Sequence, residues 1–307
     1  MLLTWTSEVI PKEHWDTPSW ISDDLYKESV KILEENGIQY ADKISYHKMC
    51  RWNSGLFYKH PALEHMQYYW RVEPNVHFFC DVDYDVFRYM QDNNKTYGFT
   101  VTLYDAPKSI PTLWPETTKF LAQHPEYLHE NNAMNWLTDA QRRPIHNEQA
   151  NGYSTCHFWS NFEIGDMSFW RSQAYEDYFN HLDRAGGFFY ERWGDAPVHS
   201  IALGLFEDKS KIHWYVALFV FYVLMLPGID VARGAQLTLS DQVPRHWLPA
   251  HPLLQLPELG QVQGLRDWAV HRRRGLAQQG GLPTQLVQVR RDGLRGKVGG
   301  RHMCATI

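Results

Sequence analysis

The sequence has no Cys-x-x-Cys pair, no Gly-x-Gly-x-x-Gly turn and no Walker-type phosphate loop. These absences argue against a structural zinc site, a Rossmann-type dinucleotide site and P-loop chemistry. No Ser-His-Asp triad can be read from spacing. A long apolar run is missing too. The uncharged stretch from Trp214 to Leu226, closed by Pro227-Gly228, falls short of the roughly 20 residues a bilayer span requires, and reads as a buried strand or helix. Met1-Leu2-Leu3-Thr4-Trp5 is too short and too little basic for a signal peptide. Positive charge is not in excess: the net charge is -5, which argues against a general nucleic-acid binder.

What is present is aromatic. Phe, Trp and Tyr make up 15% of the residues, which suits either a cleft for a flat base or sugar face or an ordinary packed core. The charge is unevenly spread. Residues 1–212 are acidic, whereas the remainder holds ten Arg and a single Lys, Lys297. Such asymmetry marks a nucleic-acid- or membrane-binding tail, or a tail outside the fold. Of the four Cys, the first three (Cys50, Cys80, Cys156) allow one disulfide in an oxidising compartment. Asn94-Lys95-Thr96 is a glycosylation sequon, relevant only in that compartment.

Local pattern predicts an α/β chain. Ser22 starts a helix whose apolar face holds Leu25, Val30 and Leu33, and Gly37 stops it. Residues 76–82 and Tyr97–Tyr104 read as strands on either side of a short helix, 84–91. Ser172 caps a helix with Tyr175, Tyr178, Phe179 and Leu182 on one face, ended by Gly186-Gly187. From about residue 229 Phe and Tyr vanish and no period survives, so 229–307 reads as a disordered basic tail.

Four stretches carry chemistry. In Tyr69-Trp70-Arg71-Val72-Glu73-Pro74-Asn75, Arg71 and Glu73 share one side of a strand. A carboxylate there can hold a divalent metal or a sugar hydroxyl, or simply pair with Arg71 to fix a strand edge. In Cys156-His157-Phe158-Trp159-Ser160-Asn161-Phe162-Glu163-Ile164, a lone carboxylate sits among aromatics. Burial disfavours its charge, and a donor such as Asn161 favours it. Facing an anomeric carbon, it can attack or stabilise an oxocarbenium-like transition state; the structural alternative is a buried Glu paired to an Arg. Glu191, Asp195 and His199 recur every four residues after Gly186-Gly187, but Gly194 and Pro197 argue for a loop that presents them at an acceptor site. His199 also reads as a metal ligand, although a lone His is more often a hydrogen-bonded structural residue. Finally, Tyr46 in Ser45-Tyr46-His47-Lys48-Met49-Cys50-Arg51-Trp52 sits near Arg and Lys able to hold a diphosphate, unless this is a helix crossing the core.

Taken in order with Ile10-Pro11-Lys12-Glu13-His14-Trp15 and the run Gly186 to Ser200, these stretches resemble glycosyltransferase family fifteen, the fungal α-1,2-mannosyltransferases, over about residues 8–214. The resemblance implies a GT-A-like core, a mixed sheet flanked by helices, with 215–228 a short apolar segment. It implies GDP-mannose as donor, Mn²⁺ as cofactor, and retaining transfer to mannose on N- or O-linked glycans of glycoproteins. It also implies a type II membrane protein in the Golgi lumen, with no anchor in this sequence and no nucleic-acid partner.

Residue by residue, it implies catalytic roles for Glu163, as nucleophile or charge stabiliser, and for Tyr46. It implies donor- or acceptor-site roles for Arg71, Glu73, Asp105, Asp195 and His199, with Glu73 also near the metal. Asn75 removes a charge from the family's Glu-Pro-Asp-like motif. Tyr222 stands where the family has a metal-ligating His. Family members also carry an N-terminal stretch not seen here, so part of the GDP pocket is expected to be missing. The chain thus reads as a truncated or mis-spliced product or an imperfect gene model, with an inactive sugar-binding remnant as the alternative to an active transferase. A glycoside hydrolase would account for paired carboxylates but not for these motifs.

Overall fold

A computed structural model describes residues 7–73, 77–78, 82–215, 220–221 and 285–287. Helices α1 (Lys12–Trp15), α2 (Asp23–Glu35) and α3 (Ile44–Gly55) lead into strands β1 (Tyr68–Val72) and β2 (His77–Phe78). Helix α4 (Val86–Asp92) precedes β3 (Tyr97–Phe99) and β4 (Thr102–Tyr104). Helices α5 (Leu113–Gln123), α6 (Met134–Leu137) and α7 (Pro144–Gln149) follow, then β5 (Cys156–Phe158) and β6 (Phe162–Asp166). Helices α8 (Met167–Trp170), α9 (Gln173–Ala185), α10 (Gly187–Tyr190) and α11 (Asp195–Phe206) close the helical part before β7 (Ile212–Trp214), β8 (Val220–Phe221) and β9 (Gln285–Val287).

The central sheet runs β7-β3-β6-β1-β9. β3 pairs with β7 in parallel, while β3–β6, β6–β1 and β1–β9 are antiparallel. This is the mixed sheet flanked by helices that the sequence predicts. β2 pairs with β8, and β4 with β5, in two smaller ladders. The expectations for 216–219 and for most of 222–307, including the disordered tail, lie outside the described residues; so do Asn75, Cys80 and Tyr222.

Two helices form where their caps predict. Ser22 accepts the Leu25 N–H, and Gly37 follows the end of α2 at φ +70°. Ser172 accepts the Tyr175 N–H, and Gly186 terminates α9 at φ +78°, a left-handed turn that glycine makes without strain. Tyr175, Tyr178, Phe179 and Leu182 are all buried, as their spacing requires. Leu25 is exposed, however, and α2 turns Tyr26, Val30 and Leu33 inward instead.

The strand expected over Tyr97–Tyr104 is broken in two. The Thr100 carbonyl accepts from the Trp214 indole, and the Val101 carbonyl from the Trp159 N–H. The chain thereby leaves the central sheet after Phe99 and joins β5 from Thr102 on. Of the strand expected over 76–82, His77–Phe78 is described as such. The helix expected over 84–91 forms as α4, capped by Asp85. Cys50 and Cys156 are both buried free thiols, so they do not pair with each other. Among the described residues no helix is long and apolar enough to cross a membrane.

Strand alternation sorts the sheet's side chains onto two faces. Tyr69, Tyr97 and Phe99 pack into the large helical core, while Phe162, Ile164, Val86, Met90 and Tyr215 form a smaller cluster on the other face. Gly98 faces that second cluster, and a Cβ there would stand 2.2 Å from the Tyr215 ring.

His213 on β7 borders the same cluster, its ring 4.8 Å from Tyr89 and 4.6 Å from Tyr215. Burial, with Lys95 nearby, pushes its imidazole down to about 4. The folded value lies below that of the unfolded chain, about 6.5, so on acidification the unfolded state takes the proton first. This contribution to stability is complete above the unfolded value and fades as pH falls toward the folded one. About 2 kcal/mol should be lost between about pH 7 and about pH 5, read from urea midpoints. His213→Phe should flatten that slope; an unchanged slope would refute the assignment.

Candidate active site

The sheet's alternation gathers an ionic cluster inside the large core. Arg71 on β1 lies opposite Glu163 on β6, and Tyr97 on β3 comes from the next strand over. All three project toward α11, which brings Asp195 and His199 one turn apart on its buried side. Arg71 Nη1 donates to Asp195 Oδ2 at 2.5 Å and lies 3.7 Å from Glu163 Oε1. Its Nε and Nη2 both donate to Glu73 Oε1, at 3.0 and 2.6 Å. Glu163 Oε2 accepts from the Tyr97 hydroxyl at 2.8 Å and lies 3.1 Å from His199 Nδ1. Ser160 donates to Asp195 at 2.7 Å.

Glu163 and His199 are each 1% exposed and Arg71 4%, whereas the Glu73 side chain keeps 19% of its surface. The cluster therefore opens at Glu73. Burial works against the Asp195 charge, but Arg71, His199 and the Ser160 hydroxyl outweigh it and hold the carboxyl below its usual range. Burial likewise opposes the Arg71 charge, but Asp195, Glu73 and Glu163 keep it firmly protonated. Burial, then the Glu163 charge, pushes the Tyr97 hydroxyl well up, so it donates its proton rather than losing it.

A second group adjoins the first. Arg192 Nη2 donates to Asp105 Oδ1 at 2.9 Å and to the Ser109 hydroxyl at 3.0 Å. Its guanidinium lies 5.9 Å from the Tyr46 ring centre, and the Tyr46 ring stacks on Tyr40 at 4.7 Å. Arg192 Nε is buried with no hydrogen-bond partner among the described residues. The Cys50 thiol and burial push the Tyr46 hydroxyl strongly up, so it stays protonated at neutral pH. Burial, and after it the Asp195 charge, pushes the Cys50 thiol up, so it stays protonated.

Arg71, Glu73, Glu163, Asp195 and His199 thus form one network, with Tyr46 and Asp105 beside it around Arg192. Several placements differ from expectation. The loop predicted around Asp195 and His199 is helix α11, because Pro197 sits in its first turn, where a missing N–H breaks no helical bond. His199 and Asp195 are interior groups that bond to other site residues rather than open acceptor ligands. Tyr46 stands on α3, a helix crossing the core. Tyr97 donates to Glu163, and His199 Nδ1 stands beside the same oxygen; Asn161 instead accepts the Glu73 N–H through its backbone carbonyl.

Sequence reasoning gave no role to Tyr97, Ser160 or Arg192. The alternation of Tyr97 and Phe99 in a strand beside that of Glu163 is the one local signal that could have suggested the first. The donor set for a divalent cation is thin: among the described residues no group of three or more His, Cys, Asp or Glu is arranged to hold a metal. Glu73 is the least buried carboxylate of the network, and its Oε1 is taken up by Arg71. Among the described residues, these side chains alone do not fit Mn²⁺.

The mixed sheet with helices on its flanks is that of a GT-A-type glycosyltransferase core, by its likeness to solved mannosyltransferases. The chain belongs to the family described as glycolipid 2-alpha-mannosyltransferase, whose model matches residues 5–226, past Trp214 where the motifs end. It is 51% identical over 207 residues to the O-glycoside alpha-1,2-mannosyltransferase omh1 of Schizosaccharomyces pombe, covering 67% of this chain and 51% of that one. It is 49% identical over 215 residues to the alpha-1,2 mannosyltransferase KTR1 of Saccharomyces cerevisiae, covering 70% and 53%.

Among solved structures it is similar to core-mannan synthase A (CmsA/Ktr4) of Aspergillus fumigatus in its Mn/GDP form. That match has 70% identity and a TM-score of 0.67, and covers 67% of this chain and 55% of that one. The mannosyltransferase Ktr4p of S. cerevisiae in complex with GDP gives 48% identity and a TM-score of 0.69, covering 70% and 54%. The chain spans about half the length of the curated relatives it matches.

Proposed function

We propose that the chain is the acceptor-side core of an α-1,2-mannosyltransferase that moves mannose from GDP-mannose to a mannose hydroxyl on a glycoprotein glycan, with retention of configuration. The observation that carries this reading is the Arg71–Glu73–Glu163–Asp195 network, set inside the part of the chain that matches the family.

The roles follow from exposure. Glu73 stands at the mouth, where a sugar hydroxyl reaches it. Glu163 is shut in behind Arg71 and Tyr97, so its part is electrostatic: a buried negative charge favours the positive charge that develops at the anomeric carbon. Direct attack by Glu163 is disfavoured by that burial. Tyr46, protonated and beside Arg192, offers a hydroxyl to the sugar or diphosphate, and Arg192 Nε offers a further donor. Asp105 orients Arg192.

The test is direct. Purified chain incubated with GDP-mannose, Mn²⁺ and α-methylmannoside should yield a mannose disaccharide. Acceptor binding by calorimetry with no product would replace the enzyme by a sugar-binding remnant. The Golgi lumen goes with this reading, and the sequon gives access to it. Asn94 is exposed in the turn after α4. Chain routed through a secretory pathway should lose mass on endoglycosidase treatment, and Asn94→Gln should abolish that loss. Unmodified Asn94 in the secreted chain would count against a lumenal setting.

A further inference from the structure

His199 belongs to none of the surfaces a substrate reaches, yet it touches the one carboxylate of the network that has no other way out. Its Nε2 lies 3.0 Å from the Asn53 backbone carbonyl. A carbonyl only accepts, so Nε2 carries a proton. Its Nδ1 lies 3.1 Å from Glu163 Oε2, which already accepts from Tyr97. A carboxylate also only accepts, so an ionised Glu163 requires a second proton on the ring.

Three features of the surroundings favour that second proton. Asn53 is in the last turn of α3, where carbonyls lack helical partners and the negative end of the helix dipole stabilises a cation. Trp170 lies against the ring with centroids 4.3 Å apart, and Phe57 and Tyr175 stand at 6.2 Å. The Asp195 carboxylate stands one turn back on α11. Against it stand burial and Arg71 on β1. Arg71 Nη1 stands 3.7 Å from the other oxygen of the Glu163 carboxylate.

We propose that His199 is a positioning residue, held as an imidazolium between Glu163 and the C-terminal end of α3, that fixes the Glu163 carboxylate against Arg71. Arg71 and His199 then balance Glu163 and Asp195, so the interior of the cluster is neutral and the charge of Glu73 alone faces the opening. The consequence for turnover rests on the transferase reading above; the proton count does not.

The experiment uses the full chain with ¹⁵N-labelled histidine. At neutral pH the His199 ring should show both nitrogens protonated, its signals assigned by their loss in His199→Gln. In Glu163→Met, which leaves Nδ1 no acceptor, Nδ1 should lose its proton while Nε2 keeps the one it gives to Asn53. A singly protonated ring in the unaltered chain would overturn the proposal, whether or not the chain turns over. If His199→Gln does not fold, the signals are assigned by through-space contacts to the Trp170 ring, and a ring still doubly protonated in Glu163→Met also overturns it. Where transfer is measurable, His199→Gln should lower kcat about tenfold or more while the KM for GDP-mannose stays within about threefold. A change confined to KM would contradict a positioning role.

Discussion

Arg71→Met should lower the unfolding free energy by about 3–5 kcal/mol, the cost of leaving buried charge without its partner. One guanidinium serves three carboxylates here: Asp195 at 2.5 Å, Glu73 through two N–H groups and Glu163 at 3.7 Å. Methionine fills similar volume and keeps the packing, so the loss would report charge rather than a cavity. Two of the three carboxylates are almost wholly enclosed and have no water to turn to. Arg71→Lys should recover only part of the loss, since an ammonium cannot reproduce the planar fork. Urea unfolding reads the difference, and a change below about 1 kcal/mol would mean that the cluster is not held by this residue.

The second large effect concerns chemistry. Glu163→Gln should reduce mannosyl transfer by about 100-fold or more, the usual scale for removing an electrostatic group aimed at developing charge. Glutamine matches the shape of glutamate and its carbonyl still accepts from Tyr97. The amide nitrogen, though, replaces the oxygen that faces Arg71 and sets a donor against a donor. The fold should survive, as judged by an unchanged far-ultraviolet spectrum and a cooperative melt. Full activity in a folded Glu163→Gln chain would remove Glu163 from the mechanism altogether.

How much of this was legible depends on the range of the interactions. Helices α2 and α9 announced themselves because their caps are local: Ser22, Ser172, Gly37 and Gly186 act within a few residues. Helix α11 was misread because Gly194 and Pro197 are breakers within a helix but harmless at its first turn. The break after Phe99 was invisible, since the groups that capture Thr100 and Val101 lie far along the chain, at Trp214 and Trp159.

In the site, Arg71 and Glu73 could be paired from the two-residue period of a strand. The motif resemblance supplied Glu163, Tyr46, Asp105, Asp195 and His199 as members. It did not say which face the opening and which are enclosed. That distinction comes from the registers of β1, β3 and β6 and from the packing of α11, which no spacing encodes.

The Tyr215 ring occupies the place that a side chain at position 98 would need. Neither residue touches the ionic cluster, yet their contact sets how β3 and the chain leaving β7 lie together. Drift at one position is therefore conditional on the other. Across homologous sequences, anything larger than glycine at 98 should occur with a smaller residue at 215, so that the two sites are inherited as one character.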